Sequence, residues 1–170
     1  MTETIKQMLV EYARYNLWAN ENLIILFRSL DDALMSEHVE SSFPSIRKTL
    51  LHIWDAESLW LERLHGHSPT DFPSKNFVGS NKDVFEGLLN TSQKLVQFVE
   101  DKPAIFFRDK CTFSLISLQT EMTQLVREMI QHTFNHSTFH RGQLITMCRQ
   151  LNISPIPRTD YIIYSRYIKN

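Results

Sequence analysis

Three histidines in one helix-forming stretch raise the first chemical question. His132, His136 and His140 recur at four-residue steps, and such residues sit one turn apart on nearly the same helix face. Neutral imidazole nitrogens bind zinc at about 2.0–2.1 Å, and two at this spacing make half of a metal site. Seven histidines in 170 residues give by chance roughly 0.3 pairs at that step and roughly 0.01 cases of two steps in succession. The stripe is a candidate metal centre, weighed against three satisfied core or boundary histidines. Spacing does not select which two of the three would bind. Position 137 is serine, so the HExxH pattern of zinc proteases, with its glutamate base, is absent.

A third ligand has to come from another helix. His52 is the best candidate, because it lies one residue off the apolar line through Leu50 and Ile53 and so can face a bundle interior. Taken alone, such a histidine is more often a hydrogen-bonded boundary residue. His65 and His67 flank Gly66 in an expected turn, and His38 is expected at the surface. Asp55, three residues after His52, is open to three readings: an acceptor behind a ligand, an extra ligand, or a solvated acid on the rim. Glu57 falls on the apolar line and needs a partner if buried; Arg14, Arg63 or Arg141 could supply one. Arg141 reads equally as a helix-surface cation. Cys148 lies about 12 Å along the helix from His140, too far to share an ion with it, and is expected in the core. Cys111 has no basic neighbour in sequence, and no Ser-His-Asp logic, glycine-rich phosphate loop or CxxC motif is present.

The elements that must position these groups are long, because only 4 Gly and 6 Pro punctuate the chain. A first helix carries Ile5, Met8, Leu9, Tyr12, Ala19, Leu23, Leu26 and Leu30 at three- and four-residue steps, with Thr4 and Gln7 spaced as a capping box. Tyr15 and Trp18 add aromatic bulk to its flank, and Asp31-Asp32 marks its exit. A second helix opens at Pro44-Ser45, runs along Ile46, Leu50, Ile53, Trp60 and Leu64, and stops at Gly66. Residues 67–79 read as a loop. A third helix opens at Ser80 and Asp83, packs through Val84, Leu88, Leu95 and Val99, and ends at Pro103. Ile105 and Phe107, then Phe113 and Leu115, alternate about Asp109-Lys110, which allows a short hairpin there. A fourth helix is expected from Thr120 or Thr123 to about Leu151, its inward line passing Leu125, Met129, the three histidines, Gln143 or Leu144, and Met147. Pro155 and Pro157 then leave a Tyr- and Ile-rich tail. The expectation is an all-α four-helix bundle with one long crossover, formed as a single domain over residues 1–170.

Composition limits the partners. Hydrophobic residues make up 42% and charged ones 22%, an ordinary globular balance. The formal charge is −1 and the longest basic run is Arg47-Lys48, so nucleic-acid binding is disfavoured. No apolar run reaches the roughly 20 residues that span a bilayer, and the first residues lack a signal-peptide layout. With two cysteines and no disulfide framework, a reduced cytoplasm is the expected compartment. The aromatic flank of the first helix and the tail Tyr161, Ile162, Ile163, Tyr164 and Tyr167 exceed what one bundle needs to cover, and point to a homodimer.

The block His132-Thr-Phe-Asn135-His136-Ser-Thr-Phe-His140-Arg141-Gly142-Gln143 resembles the signature of the DinB-like (YfiT-like) superfamily of metalloenzymes. The resemblance continues through Tyr15-Asn16-Leu17-Trp18-Ala19-Asn20, through Ser45 to Ile53 and Trp60-Leu61, and into Asp160-Tyr161. It implies an up-down-down-up four-helix bundle, often dimeric, with a metal on one histidine of the second helix and both of NHxxxH. Here these are His52, His136 and His140; His132, Asp55, Arg141 and Gln143 become neighbours of the pocket. Zinc or nickel is the leading expectation, with iron, manganese or copper also accommodated by imidazoles. Three protein ligands leave a position open, as in catalytic sites. The resemblance therefore implies a metal-dependent enzyme of the thiol S-transferase or isomerase type, acting on a small-molecule substrate with a low-molecular-weight thiol such as bacillithiol, mycothiol or glutathione. The alternatives are a non-catalytic, stress-associated metal-binding dimer and a metal-dependent hydrolase.

Overall fold

The computed structural model describes residues 2–116 and 120–169. Four long helices carry the fold: α1 (Thr2–Phe27), α3 (Ile46–Leu64), α4 (Asn81–Asp101) and α5 (Val126–Gln150). Two short ones, α2 (Asp32–Ser36) and α6 (Tyr161–Tyr167), follow α1 and close the chain. The expected start of α1 shifts: the helix is already formed at Thr2, so Thr4 and Gln7 lie within it rather than capping it. Ser45 does cap α3, its hydroxyl accepting from the Lys48 amide, and Ser80 and Asp83 form a reciprocal capping box on α4. At the far end of α3 the Gly66 amide bonds the Arg63 carbonyl and the His67 amide the Glu62 carbonyl. That paired closure turns the chain through a left-handed residue, and Gly66 takes it with φ 85°.

Side-chain contacts give the helix directions. Asn20 meets Ser92 and Arg14 meets Glu100, so α1 and α4 run antiparallel. Thr49 meets Met147 and Glu57 meets Ser137, so α3 and α5 do too. Arg47 contacts Asn81 and Trp54 contacts Thr91, making α3 and α4 parallel, with the long connection 65–80 as the crossover. Tyr12 reaches Asn135 and Asn16 reaches Arg141, making α1 and α5 parallel. The bundle is therefore up-down-down-up. Gly87 permits the close approach of α3 to α4: a Cβ there would fall 2.5 Å from Cζ2 of Trp54.

The hairpin forms, but not where the alternation placed it. Ala104–Arg108 is a 3-10 turn, and strand β1 (Lys110–Ser114) pairs antiparallel with β2 (Glu121–Leu125), Phe113 opposite Met122. Thr112 and Thr123 hydroxyls meet across it at 2.8 Å. Because 121–125 are committed to this ladder, α5 starts at Val126, later than the Thr120 or Thr123 expected. Part of the turn, 117–119, lies outside the described residues.

Two apolar clusters fill the bundle. One, toward one end, gathers Leu23, Phe27, Ile46, Leu50, Leu88 and Met147; the other gathers Leu9, Leu61, Leu95, Val99, Ile130 and Phe134. Between them, at mid-height, lie the buried polar side chains of Asn16, Asn20, Glu57, Ser92, Ser137 and Arg141. No helix among the described residues is long and apolar enough to cross a membrane.

Candidate metal centre

At that same height α3 and α5 present imidazoles to each other. His52 is two turns into α3, and His136 and His140 face it from one turn apart on α5. Nε2 of His136 lies 3.1 Å from Nε2 of His52 and 3.2 Å from Nε2 of His140, and the three candidate donor atoms all lie within 4.8 Å of one another. Two ligands of a tetrahedral zinc ion would stand about 3.3 Å apart, so these spacings suit an ion at their centre. Nδ1 of His140 donates to Oε1 of Gln143 at 2.7 Å. That bond places the proton on Nδ1 and turns the Nε2 lone pair inward, the tautomer a metal ligand needs. Nε2 of Gln143 continues to the Ser42 hydroxyl at 3.3 Å. Nδ1 of His136 is buried without a hydrogen-bond partner among the described residues.

The electrostatics favour neutral rings. Burial pulls His136 down to about 3, helped by repulsion from His140, His52 and His132. Burial, then His140, pulls His52 down to about 4. His140 is lowered by burial, against an opposing push from its bond to Gln143. All three rings are thus uncharged at neutral pH and free to donate lone pairs, which is the state a cation requires. Imidazoles with no carboxylate among them make a borderline-soft, nitrogen-only donor set, fitting zinc, nickel and their neighbours rather than magnesium or calcium.

The remaining residues singled out by sequence divide. His132 is exposed, set edge-on to Trp60 with ring centroids 5.0 Å apart, and is not one of the three convergent histidines. Asp55 is neither a solvated rim acid nor turned to the histidines: it is buried and accepts from the backbone amide and hydroxyl of Ser74, pinning the crossover loop. Burial raises its pKa, and both Ser74 bonds pull against that rise. Arg141 is not a surface cation; it is 2% exposed beneath Tyr15 and turned into the polar layer at mid-bundle. Cys148 is buried and its thiol is pushed up to about 11 by burial; Cys111 donates to the Arg63 carbonyl and is also raised by burial. Phe43 escaped the sequence reading. Its ring stacks on His52 at 4.0 Å and meets His140 edge-on at 5.6 Å, walling one side of the cluster. The available signal was one aromatic in the polar run Ser41-Ser42-Phe43-Pro44 just ahead of the α3 cap. A cleft of about 250 Å³ adjoins, between Ser41, Phe139, Gln143 and Met147. A larger groove of about 1090 Å³ lies elsewhere, between α1, α5 and α6.

Known proteins are similar to this one along most of the chain. Protein DinB of Bacillus subtilis (strain 168) is 26% identical over 157 residues, covering 88% of this chain and 89% of its own. A DinB-like protein from Bacillus cereus ATCC 10987 superposes with a TM-score of 0.64 at 15% identity, over 92% of this chain and 95% of that one. YfiT from Bacillus subtilis, described as a probable metal-dependent hydrolase with an unusual four-helix bundle topology, gives a TM-score of 0.56 at 14% identity, over 90% and 89%. At those identities the two structures speak for the fold. The model of the DinB family matches residues 1–167, and the chain belongs to that family.

Proposed function

We propose that this protein is a metal-dependent enzyme holding one divalent ion, zinc or nickel, on His52, His136 and His140, and transferring a low-molecular-weight thiol to an electrophilic small molecule. The observation behind it is the convergence of three neutral imidazole nitrogens from two helices, with no fourth His, Cys, Asp or Glu in the group among the described residues. A bound divalent cation with an open position lowers the pKa of a thiol or water and so supplies a nucleophile at neutral pH. The chain's own residues do the rest. Gln143 holds His140 in its ligating tautomer, and Phe43 stacks on the ring of His52. In the transfer a sulfur–carbon bond forms, the leaving group departs with its electron pair, and the thiol proton passes to solvent. The thiol must arrive with the reaction, because Cys148 is buried and Cys111 is occupied with the Arg63 carbonyl. We take residues 1–170 as one such domain, acting in the reduced cytoplasm as a homodimer.

A second reading, hydrolysis with water in place of the thiol, is favoured by the likeness to YfiT. The two are separated by measuring conjugation rates of bacillithiol, mycothiol, glutathione and cysteine with a chloroarene or bimane probe, alongside an ester and amide panel. Thiol transfer predicts acceleration by metal-loaded protein for a preferred thiol, lost in apo-protein and in His140→Ala and restored by added metal. Equal rates for loaded and apo-protein with every thiol would sink it, and turnover confined to the ester panel would establish the hydrolase. Silence in both leaves a metal-binding, stress-associated dimer without turnover.

A further inference from the structure

The polar layer at mid-bundle is buried as deeply as the apolar clusters above and below it. Glu57 of α3 is 0% exposed and Arg141 of α5 is 2% exposed, yet no direct bond joins them. Two asparagines one turn apart on α1 stand between. Asn16 donates to Oε1 of Glu57 at 2.8 Å and accepts from Arg141 at 2.6 Å; Asn20 does the same at 3.1 and 2.9 Å. Their amide orientations are forced, since a carboxylate only accepts and a guanidinium only donates. Ser137 of α5 donates to Oε1 of Glu57 at 2.8 Å, and Ser92 of α4 to Oε2 at 2.6 Å. One carboxylate therefore ties together all four long helices, between two apolar clusters whose attraction is non-directional.

The position of these groups relative to the histidines gives the layer a purpose. Ser137 directly follows His136, and Arg141 directly follows His140. One residue is about 100° of helix rotation, so when 137 and 141 are held on the inner layer, 136 and 140 are aimed at α3. Glu57 sits on α3 itself, five residues beyond His52. A shift or rotation of α5 against α3 that moved the Nε2 atoms apart would also break Ser137–Glu57 and strand two buried charges. The geometry points to Glu57, with Ser137, Arg141, Asn16 and Asn20, as positioning residues that set the register of α5 on α3 and so the spacing of His52, His136 and His140. The inference rests on the metal reading above. It assigns a role to the Asn16–Asn20 pair and to Arg141, which touch no imidazole.

The test uses the full chain, titrated with Zn(II) and Co(II) against a chromophoric chelator. Ser137→Ala removes the direct bond from α5 to Glu57 without isolating a charge, leaving the path through Arg141 and the asparagines, and Glu57→Gln keeps the shape and removes the charge. Val84→Ala, in the apolar cluster, serves as a core truncation matched for lost melting temperature. Ser137→Ala and Glu57→Gln are expected to weaken metal binding about tenfold and to shift the visible bands of the Co(II) form. Val84→Ala is expected to melt earlier and bind as wild type does. Network variants that bind with wild-type affinity and an unchanged Co(II) spectrum would overturn the positioning role. So would an equal loss in Val84→Ala, which would mark the effect as general destabilisation. If Glu57→Gln fails to fold, Ser137→Ala decides alone. A wild-type protein that takes up neither ion removes the metal reading first, a failure distinct from binding that survives Ser137→Ala.

Discussion

For single side chains, the chemistry depends on which nitrogen of each imidazole carries the proton. Gln143 answers this for His140, and the pairwise approach of the Nε2 atoms marks them as the candidate donors on the other two rings. Removing one of three ligands leaves two, too few for tight binding. His52→Ala, His136→Ala and His140→Ala should each lose the ion in metal analysis of untagged protein, while His132→Ala, on the Trp60 side of the stripe, keeps most of it. Metal retained by His136→Ala but lost from His132→Ala would reverse the assignment. The same rings set a pH dependence. His136 and His52 stand at about 3 and about 4 against an ordinary 6.5, so between those values the unfolded chain binds protons that the folded chain refuses. Stability from these sites is therefore complete above about pH 6.5 and is lost as pH falls toward 4 and then 3. Thermal melts of metal-free protein from pH 7 to 4 should show a fall that is smaller in His136→Ala. Parallel curves for the two proteins would contradict the burial argument. The stripe itself was legible in the sequence, because four-residue spacing on a helix is a local property. Phe43 was not, since no periodicity links a loop aromatic to a histidine nine residues on.

Among the elements, most outcomes followed how local their cause was, the Thr4–Gln7 capping box excepted, since α1 already begins at Thr2. Both Ser45 and Ser80 cap helices as expected, because a cap is settled within four residues. Helix α5 starts later than expected because β2 pairs with residues seven to fifteen positions upstream, which helical periodicity does not register. Phe113 lies in a strand, but its partner is Met122 of β2, and the segment around Ile105 and Phe107 is a 3-10 turn. The parallel pairing of α3 with α4 depends on a feature no pattern announced, the bare Cα of Gly87 under the Trp54 indole. A Cβ there would meet three indole atoms at 2.5 to 2.9 Å, and the ring is held by its bond to Thr91. Gly87→Ala should therefore destabilise by about 1–3 kcal/mol despite its better helix propensity. Denaturant unfolding measures this, and a gain in stability would show that the indole swings aside freely.

Across the whole molecule, the aromatic surplus has a different distribution from the one expected. Tyr15 and Trp18, read as an interface flank, are covered by the chain's own α6: Tyr164 packs on both rings, and the Tyr15 hydroxyl bonds the Thr159 carbonyl at 2.8 Å. What stays open is the edge of the groove between α1, α5 and α6, where Met8 is 65% and Ile162 49% exposed beside Tyr161. A homodimer through that edge remains the expected assembly. Light scattering at micromolar concentration should give twice the 20.1 kDa chain mass, and Ile162→Glu should halve it. A wild-type mass of one chain would rule the dimer out.

The sequence by itself determined what short-range physics governs: four amphipathic helices, the serine caps of α3 and α4, the glycine stop after α3, and a row of imidazoles on one face. It also carried the family signature, from which His52, His136 and His140 were expected together. Tertiary structure decided what depends on residues far apart in the chain. It brought His52 to within 3.1 Å of His136, 84 positions away, and left His132 against Trp60. It placed Asp55 on Ser74 instead of near the histidines, and it joined Glu57 to Arg141 through two asparagines rather than by direct contact. Helix period and capping are written into neighbouring residues. Which buried charge meets which partner is settled only when four helices close on one another and every polar group in the layer between them must find a hydrogen bond.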